Sequence, residues 1–271
     1  MEPFNPENLK RSTIDKPAAW AQCLSFIDLT ALNATDTPAQ IGAMTEKVNR
    51  FPAAFPHFPH VAAICVYPAL VPVVKQQLQL PGVQIAAVGA GFPASQTFIE
   101  VKCDECKRAV DAGAHEIDVV ISLGTFLAGD HHRVQEELVK IKAAIGHAHL
   151  KVILETGALT PEQIRTAGRI AIEAGADFIK TSTGKMEPAA TPEAAWIMAH
   201  VIKAHYLKTG KKTGLKPAGG IVTASDALLY YAIVKEVLGE EWLTPSLFRL
   251  GASRLANNLL TELLNTPVKY F

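Results

Sequence analysis

Length, composition and charge exclude several classes of protein before any motif is considered. The chain has 271 residues, of which 49% are hydrophobic and 19% charged, so it can bury a sizeable core and is not intrinsically disordered. Its 26 basic and 26 acidic residues balance, which excludes a global field that would attract nucleic acid or an anionic membrane.

The N-terminal segment and the most apolar stretch indicate neither secretion nor insertion into a membrane. Residues 1–16 are polar and lack the apolar segment of a signal peptide. The most apolar stretch, residues 61–74, is shorter than the roughly 20 residues of a membrane helix and contains Pro68 and Pro72. We therefore expect a cytoplasmic protein that binds neither membranes nor nucleic acid.

Short apolar runs alternate along the chain with longer amphipathic segments. Most of these runs are apolar or β-branched almost throughout, as is typical of parallel strands covered on both faces. The predicted strands are residues 25–29, 61–67, 83–89, 115–121, 150–155, 176–181, 212–218 and 248–252.

Start and stop signals mark several helices between these strands. Three threonines each place an N-cap hydroxyl before a proline at the first helical position. They are Thr37, Thr160 and Thr191. Gln40 and Gln163 complete capping boxes with the first two, and Gly113 and Gly175 end helices just before a strand.

Eight strands, each followed by a helix, in about 250 residues are typical of a TIM (β/α)8 barrel. We predict one such α/β domain over residues 24–265, with an N-terminal extension or helix (1–23) packed on it and a C-terminal tail (266–271). The alternative, a doubly wound sheet, requires a glycine-rich turn after the first strand, where this chain reads DLTALNATD. The proline- and aromatic-rich residues 51–60 predict a loop.

A CxxC motif, Cys103 and Cys106, lies on a predicted helix. No second Cys or His pair stands at zinc spacing, so we interpret these cysteines as reduced surface thiols and predict no metal.

The predicted strand ends, where active sites of such barrels lie, carry charged residues. Lys180 and Lys216 end the sixth and seventh strands. A nucleophilic lysine must be neutral, and both burial and a neighbouring cation lower its pKa. Lys216 can supply that cation, because neighbouring strands lie about 4.8 Å apart. The alternative is a lysine whose side chain merely extends to the rim of the barrel. The presence of two lysines on adjacent strands argues against this alternative.

Three further charged residues interrupt apolar strands and are expected to share the same lumen. Asp118 lies in HEIDVVI, and a buried carboxylate is either paired or functional. It could pair with Lys180 or Lys216, or move protons. Asp28 and Lys151 interrupt SFIDL and LKVILE in the same way.

Glycine-containing turns follow the last three predicted strands, at residues 182–185, 218–220 and 251–253. Exposed backbone N–H groups at such turns, together with Lys185, predict a phosphate site. Ordinary loop glycines are the alternative.

Five motifs, in order along the chain, resemble the 2-deoxyribose-5-phosphate aldolase family over about residues 24–265. They are IDLTAL (27–32), EIDVVI (116–121), FIKTSTGK (178–185), GLKPAGGI (214–221) and RLGAS (249–253). The resemblance implies a class I aldolase that needs no metal or cofactor. Such an enzyme interconverts 2-deoxy-D-ribose 5-phosphate with D-glyceraldehyde 3-phosphate and acetaldehyde, in deoxynucleoside catabolism.

The resemblance also implies residue roles. Lys180 matches the Schiff-base lysine, Lys216 the lysine that tunes it, and Asp118 the aspartate that moves protons with a water. Residues that match substrate-pocket positions are Asp28, Thr30, Cys65, Lys151 and Thr183. Residues that match phosphate-binding positions are Gly184, Lys185, Gly219, Gly220, Gly251 and Ser253.

The chain departs from the family pattern near the predicted phosphate site. Many members read GGIRT and GASS, whereas this chain has Val222 and Arg254. Our hypothesis is that Arg254 replaces the phosphate-facing charge lost at Val222. FPAS (92–95) stands where many members read FPxG, and Tyr270, followed by Phe271, receives no role.

Two other functions remain open at this point. One is a Schiff-base barrel aldolase of the transaldolase type, and the other is a sugar-phosphate-binding barrel without catalysis. The sequence is compatible with a homodimer but leaves the oligomeric state open.

Overall fold

The computed structural model describes residues 4–9 and 13–271, and its centre is a barrel of eight parallel strands. Each strand from β1 to β6 pairs with the next in sequence, and β1 pairs with β8. Isolated bridges from Leu215 to Phe248 and from Ala218 to Gly251 connect the segments around β7 and β8. The strands are β1 (Ile27–Thr30), β2 (Ala63–Val66), β3 (Gln84–Gly89), β4 (Glu116–Val120), β5 (His149–Ile153), β6 (Phe178–Lys180), β7 (Gly214–Lys216) and β8 (Leu250–Ala252). The TIM-barrel prediction is confirmed, and the doubly wound alternative is wrong.

Helices surround the barrel and cover its outer face. None of the helices in the described ranges is long and apolar enough to cross a membrane. The helices are α1 (Lys16–Ser25), α2 (Pro38–Ala54), α3 (Val71–Gln77), α4 (Ile99–Asp111), α5 (Leu123–Leu127), α6 (His131–Ile145), α7 (Pro161–Glu173), α8 (Pro192–Thr209), α9 (Ala224–Val237) and α10 (Leu255–Leu264).

The predicted helix boundaries are confirmed by their hydrogen bonds. The hydroxyls of Thr37 and Thr160 accept from the backbone three residues later, and both capping boxes are present. Thr191 caps α8 in the same way. Gly113 and Gly175 follow α4 and α7 with φ of 113° and 96°, a conformation that favours glycine.

The loop predicted over residues 51–60 is partly wrong, because its first four residues belong to α2. Phe51 is 1% exposed, and burying its ring favours continuing the helix. Pro52 cannot donate a backbone hydrogen bond, and the helix ends two residues later, at Ala54. Burial therefore overrides the helix-breaking tendency of proline for about half a turn.

The surface-thiol interpretation of the CxxC motif is wrong for Cys106. The predicted helix is α4, but Cys106 is fully buried against β3. A Cβ on Gly89 of β3 would lie 2.9 Å from its sulfur. Burial raises the pKa of Cys106 to about 12, so its thiol stays protonated at neutral pH. Cys103 is partly exposed, as expected.

Helix α1 and the C-terminal tail pack on the outside of the barrel. Helix α1 packs against α9 and α10. Asn257 binds the tail, since its Oδ1 accepts from the N–H groups of Tyr270 and Phe271 at 2.9 and 3.0 Å. The Tyr270 hydroxyl donates to the Lys47 carbonyl of α2 at 2.7 Å. Tyr270 therefore serves packing here, while the boundaries drawn at residues 24 and 265 stay a prediction.

Alternate strand residues face the lumen and divide it into an apolar and a charged part. The register pairs Asp28 of β1 with Ala63 of β2, and Asp118 of β4 with Lys151 of β5, so these positions share one face. The apolar part consists of Leu32, Ala63, Cys65, Ala86 and Val88. The charged part consists of Asp28, Glu116, Asp118, Lys151, Lys180, Lys216 and Arg249, all of which are buried.

Phe178 of β6 supports the charged part of the lumen. A Cβ on Gly214 of β7 would lie 2.2 Å from its ring, so this position of β7 has room only for glycine. The cations of Lys151 and Arg249 each lie 5.7 Å from the ring centroid. The ring therefore fills space and also contacts two of the buried cations.

Candidate active site

Lys180, Lys216 and Asp118 lie together at the centre of the lumen. The register pairs Lys180, the last residue of β6, with Lys216, the last of β7. Nζ of each lysine lies 2.7 Å from Oδ2 of Asp118 on β4. All three residues are buried, with Lys180 3% exposed. Two lysines thus share one carboxylate oxygen away from water, and charging both is costly.

Their surroundings favour different protonation states for the two lysines. Burial lowers the pKa of Lys180, and the charge of Lys216 lowers it further, against the opposing effect of Asp118. Burial also disfavours the charged form of Lys216, but Asp118 and Asp28 outweigh it and raise the pKa of Lys216. Lys180 is therefore the lysine that gives up its proton more readily.

Asp118 stays ionised although it is fully buried. Burial alone would raise its pKa, but Lys180 and Lys216 hold the pKa of this carboxyl well below its usual range. Its second oxygen, Oδ1, lies 3.7 Å from Nζ of Lys151 and accepts no hydrogen bond from the described residues. Oδ1 of Asp118 can therefore accept a hydrogen bond from a further donor.

Further ion pairs extend this cluster through the lumen. Oδ2 of Asp28 contacts Nζ of Lys216 and lies 3.2 Å from Nζ of Lys151. Arg249 donates from Nη1 to Oδ1 of Asp28 at 2.6 Å, and from Nη2 to Oε1 of Glu116 at 2.7 Å. Lys151 donates to Oε2 of Glu116. We call the connected group the lumen charge network; it comprises Asp28, Glu116, Asp118, Lys151, Lys180, Lys216 and Arg249.

A cavity of about 240 Å³ opens above Lys180 and is shared by the loops after four strands. Its lining brings together most of the predicted substrate and phosphate residues. These are Thr30, Lys180, Thr183, Gly184, Lys185, Gly219, Gly220, Gly251, Ser253 and Arg254. Cys65 lies deeper, in the apolar part of the lumen, and burial raises its pKa to about 11. Asp28 and Lys151 are fully buried within the charge network.

The glycines of this cavity permit a close approach of two loops. Gly184, Gly219 and Gly220 have φ between 74° and 83°, where other residues are strained. A Cβ on Gly219 would lie 2.7 Å from Cβ of Ala189 and 3.1 Å from Cα of Gly184. The turns after β6 and β7 therefore pack backbone against backbone beside the cavity.

Val222 and Arg254, the two departures from the family pattern, line this same cavity. Arg254 is exposed at the N-cap of α10 and makes no side-chain capping bond. The first N–H groups of α10 are therefore free of a side-chain cap. The placement of Val222 and Arg254 in one cavity is compatible with the hypothesis that Arg254 replaces the charge lost at Val222, which stays a prediction.

Sequence reasoning missed three buried residues near the site. Glu155 follows β5 with φ of 56°, and its carboxylate accepts from N and Oγ1 of Thr183 at 3.0 and 2.6 Å. Thr183 in turn accepts from the Lys185 backbone at 3.0 Å. Glu116 and Arg249 lie within recognised motifs but received no role. For Glu116 a signal existed, since it stands two residues before Asp118 on the same strand face.

Comparisons with known proteins agree with this architecture. The family model for DeoC/LacD family aldolases matches residues 23–240. Human deoxyribose-phosphate aldolase is 43% identical over 264 residues, which cover 92% of this chain and 83% of the human protein. Among solved structures, the aldolase QR15 is similar with a TM-score of 0.72 and 28% identity, covering 90% of this chain and 98% of its own. The tetrameric deoxyribose phosphate aldolase from Aeropyrum pernix shares the fold, with a TM-score of 0.71 and 23% identity over 92% of this chain and 97% of its own. The chain therefore belongs to the DeoC/LacD family of aldolases.

Proposed function

We propose that this protein reversibly cleaves 2-deoxy-D-ribose 5-phosphate to D-glyceraldehyde 3-phosphate and acetaldehyde through a Schiff base on Lys180. One observation carries the proposal. Lys180 faces the cavity and shares Asp118 with a second buried lysine that holds its charge more tightly. The family to which the chain belongs and the name of the similar human protein support the same reaction.

Neutral Lys180 attacks the aldehyde carbon of the open-chain sugar, and loss of water gives an iminium ion. The iminium accepts the electron pair of the C2–C3 bond when the C3 hydroxyl loses its proton. That bond breaks, the C3 hydroxyl oxygen becomes the aldehyde oxygen of glyceraldehyde 3-phosphate, and an enamine remains on Lys180. Protonation of the enamine at C2 and hydrolysis release acetaldehyde and restore the amine.

Asp118 and Lys216 manage protons and charge in these steps. Oδ1 of Asp118 accepts no hydrogen bond from the described residues, so it can relay protons through a water as general acid and base. Lys216 keeps its proton because it contacts both Asp118 and Asp28. Its charge disfavours protonation of Lys180, as nucleophilic attack requires.

The phosphate of the substrate binds at the glycine turns on the other side of the cavity. The residues that contact it are Gly184, Lys185, Gly219, Gly220, Gly251, Ser253 and Arg254, beside the N-terminus of α10, which favours anions. The N–H groups of Lys185, Gly219 and Gly251 already donate to Thr183, Gly251 and Pro217, so these residues contribute through the Lys185 side chain and through the close approach that glycine permits. Glu155 fixes Thr183, and through it the backbone of Lys185.

The remaining predicted pocket residues divide into two groups. Thr30 and Thr183 line the cavity and contact the sugar. Cys65 belongs to the apolar part of the lumen, whose side chains suit contact with a methyl group such as that of acetaldehyde. Asp28 and Lys151 act through Lys216 and Asp118, because they are buried behind them. The cytoplasmic location, the catabolic role and the homodimer stay predictions.

Trapping with borohydride tests this function. The protein is incubated with acetaldehyde, reduced, digested and analysed by peptide mass spectrometry. We expect an ethyl group on Lys180, and no adduct, or one on Lys216 alone, would overturn the assignment. Dihydroxyacetone replacing acetaldehyde as the donor would instead indicate an aldolase of the transaldolase type. Binding of the sugar phosphate without turnover would indicate a non-catalytic barrel.

A further inference from the structure

The lumen charge network contains one more basic than acidic side chain. Within residues 4–9 and 13–271, its ion pairs join four bases and three carboxylates. The carboxylates are Asp28, Glu116 and Asp118, and the bases besides Lys180 are Lys151, Lys216 and Arg249. If these six groups are all ionised, their charges cancel. A proton on Lys180 would then add a charge that no carboxylate of the network balances.

Arg249 and Glu116 form the end of this network that is remote from the cavity above Lys180. Both line a separate cavity of about 450 Å³ at the amino-terminal ends of the strands, together with His115 and His149. Arg249 holds both carboxylate oxygens of Glu116, at 2.7 and 3.0 Å. Nδ1 of His149 lies 3.9 Å from Oε1 of Glu116. Neither Arg249 nor Glu116 is among the residues that line the site cavity.

We propose that Arg249 and Glu116 are positioning residues that set the charge of the lumen and thereby control the protonation of Lys180, Arg249 favouring its neutral form and Glu116 its protonated form. The inference rests on the proposed function, in which neutral Lys180 is the nucleophile. It extends the control of Lys180 beyond Lys216 and Asp118, to a pair of opposite charges at the far end of the barrel.

Two chains of alternating ion pairs connect this pair to Lys180. Arg249 pairs with Asp28, Asp28 with Lys216, and Lys216 with Asp118. Glu116 pairs with Lys151, which lies 3.7 Å from Asp118. The groups that act on Lys180 itself are Asp118 on β4, Lys216 on β7 and Cys65 on β2. Those that face Glu116 are Lys151, Arg249, Asp28, His149 and His115.

The two members of the pair have opposite effects on Lys180. Without the Arg249 charge, the lumen carries an excess carboxylate, and Lys180 is the uncharged base that can take up the balancing proton. Without the Glu116 charge, the lumen carries an excess cation, so a proton on Lys180 becomes more costly. If the two residues had a purely structural role, removing either charge would disturb the site in the same way. In the proposed role, the two removals shift the titration of Lys180 in opposite directions.

Trace labelling with acetic anhydride measures the neutral fraction of each lysine, whether or not the protein forms a Schiff base. The full chain is labelled between about pH 5 and pH 11, and peptide mass analysis separates Lys180 from Lys216. The variants are Arg249→Met, Glu116→Gln, their combination, and Arg249→Lys. Glu137→Gln is the matched control, because it breaks the buried pair with Lys102 outside the lumen. Circular dichroism establishes that each variant is folded.

We expect Arg249→Met to raise the pH of half-maximal Lys180 labelling by about one unit, a tenfold loss of neutral amine at a given lower pH. Glu116→Gln should lower it by a similar amount. The double variant and Arg249→Lys should return it to the wild-type value, and Glu137→Gln should leave it there. Glu116→Gln is nearly isosteric, so it tests the sign alone if Arg249→Met does not fold.

Shifts in the same direction, or no shift in a folded variant, would overturn the proposal. An unchanged Lys180 titration in Arg249→Met would mean that a carboxylate takes up the proton instead. The acetaldehyde trap separates this proposal from the proposed function. Opposite shifts without any ethyl adduct would overturn the aldolase reaction alone, and an adduct without opposite shifts would overturn the charge assignment alone.

Discussion

Replacing Arg254 by alanine should weaken binding of the phosphorylated sugar and leave the non-phosphorylated sugar almost unaffected. Arg254 is exposed at the rim of the cavity, next to Ser253 and the glycine turns. Lys180 lies within the same cavity but belongs to the buried charge network. The substitution therefore removes a charge at the proposed phosphate end and leaves the reacting amine in place.

The expected size follows from the exposure of Arg254. A hydrogen bond between charged groups contributes about 1.5 to 3 kcal/mol, and solvent screening at an exposed site puts the value near the lower limit. About 1.4 kcal/mol corresponds to a factor of ten. We therefore expect KM for 2-deoxyribose 5-phosphate to rise about tenfold, with kcat nearly unchanged, and KM for 2-deoxyribose to stay the same.

The assay compares initial rates on both sugars for the wild type and three variants. Val222 lines the same cavity, so Val222→Arg in the Arg254→Ala background should restore part of the lost affinity. Lys208→Ala, near the end of α8, controls for the loss of a surface cation. Equal rises in KM for the two sugars would refute the assignment of Arg254 to the phosphate. A failed restoration would contradict the exchange between the two positions.

Three further predictions follow from the buried residues. Lys216→Met should raise the pKa of Lys180, because a neighbouring cation is lost. The increase of kcat/KM with pH should therefore occur at a higher pH than in the wild type, and an unshifted pH profile would contradict this role of Lys216. Gly214→Ala should destabilise the fold by about 1 to 3 kcal/mol in urea unfolding, since its Cβ would overlap the Phe178 ring, whereas Gly124→Ala meets no atom within 4 Å and should cost little. The pKa values of Asp28, Glu116 and Asp118 are lower in the folded protein than their unfolded values of about 4. These carboxylates therefore stabilise the fold above about pH 4, and the free energy of unfolding should decrease as the pH falls further; equal values at pH 3 and pH 7 would contradict this.

The strands and several helix starts were predictable because their signals are local. Apolar runs placed all eight strands to within a few residues, and the hydroxyl of Thr37 or Thr160 before a proline marked a helix start. Prediction failed where packing outweighs local preference. Phe51 continues α2 through Pro52 because its side chain is buried, and Cys106 turns towards β3 rather than solvent.

The candidate site was only partly predictable, because its ion pairs join residues far apart in sequence. Lys180 and Asp118 stand at strand positions that suggested a shared lumen, and they do meet there. Arg249 interrupts the predicted eighth strand, but its partners Asp28 and Glu116 lie on β1 and β4, far away in sequence, so the pairing could not be predicted. Which carboxylate each base contacts depends on strand register and on the closure of the barrel, which one strand alone does not specify.

The most direct test of the central claim is a crystal structure of the protein reduced with borohydride in the presence of 2-deoxyribose 5-phosphate. We predict continuous density from Nζ of Lys180 to C1 of the sugar, with the phosphate against Gly184, Gly219 and Ser253. Density that joins the sugar to Lys216, or a phosphate bound away from these turns, would contradict the account.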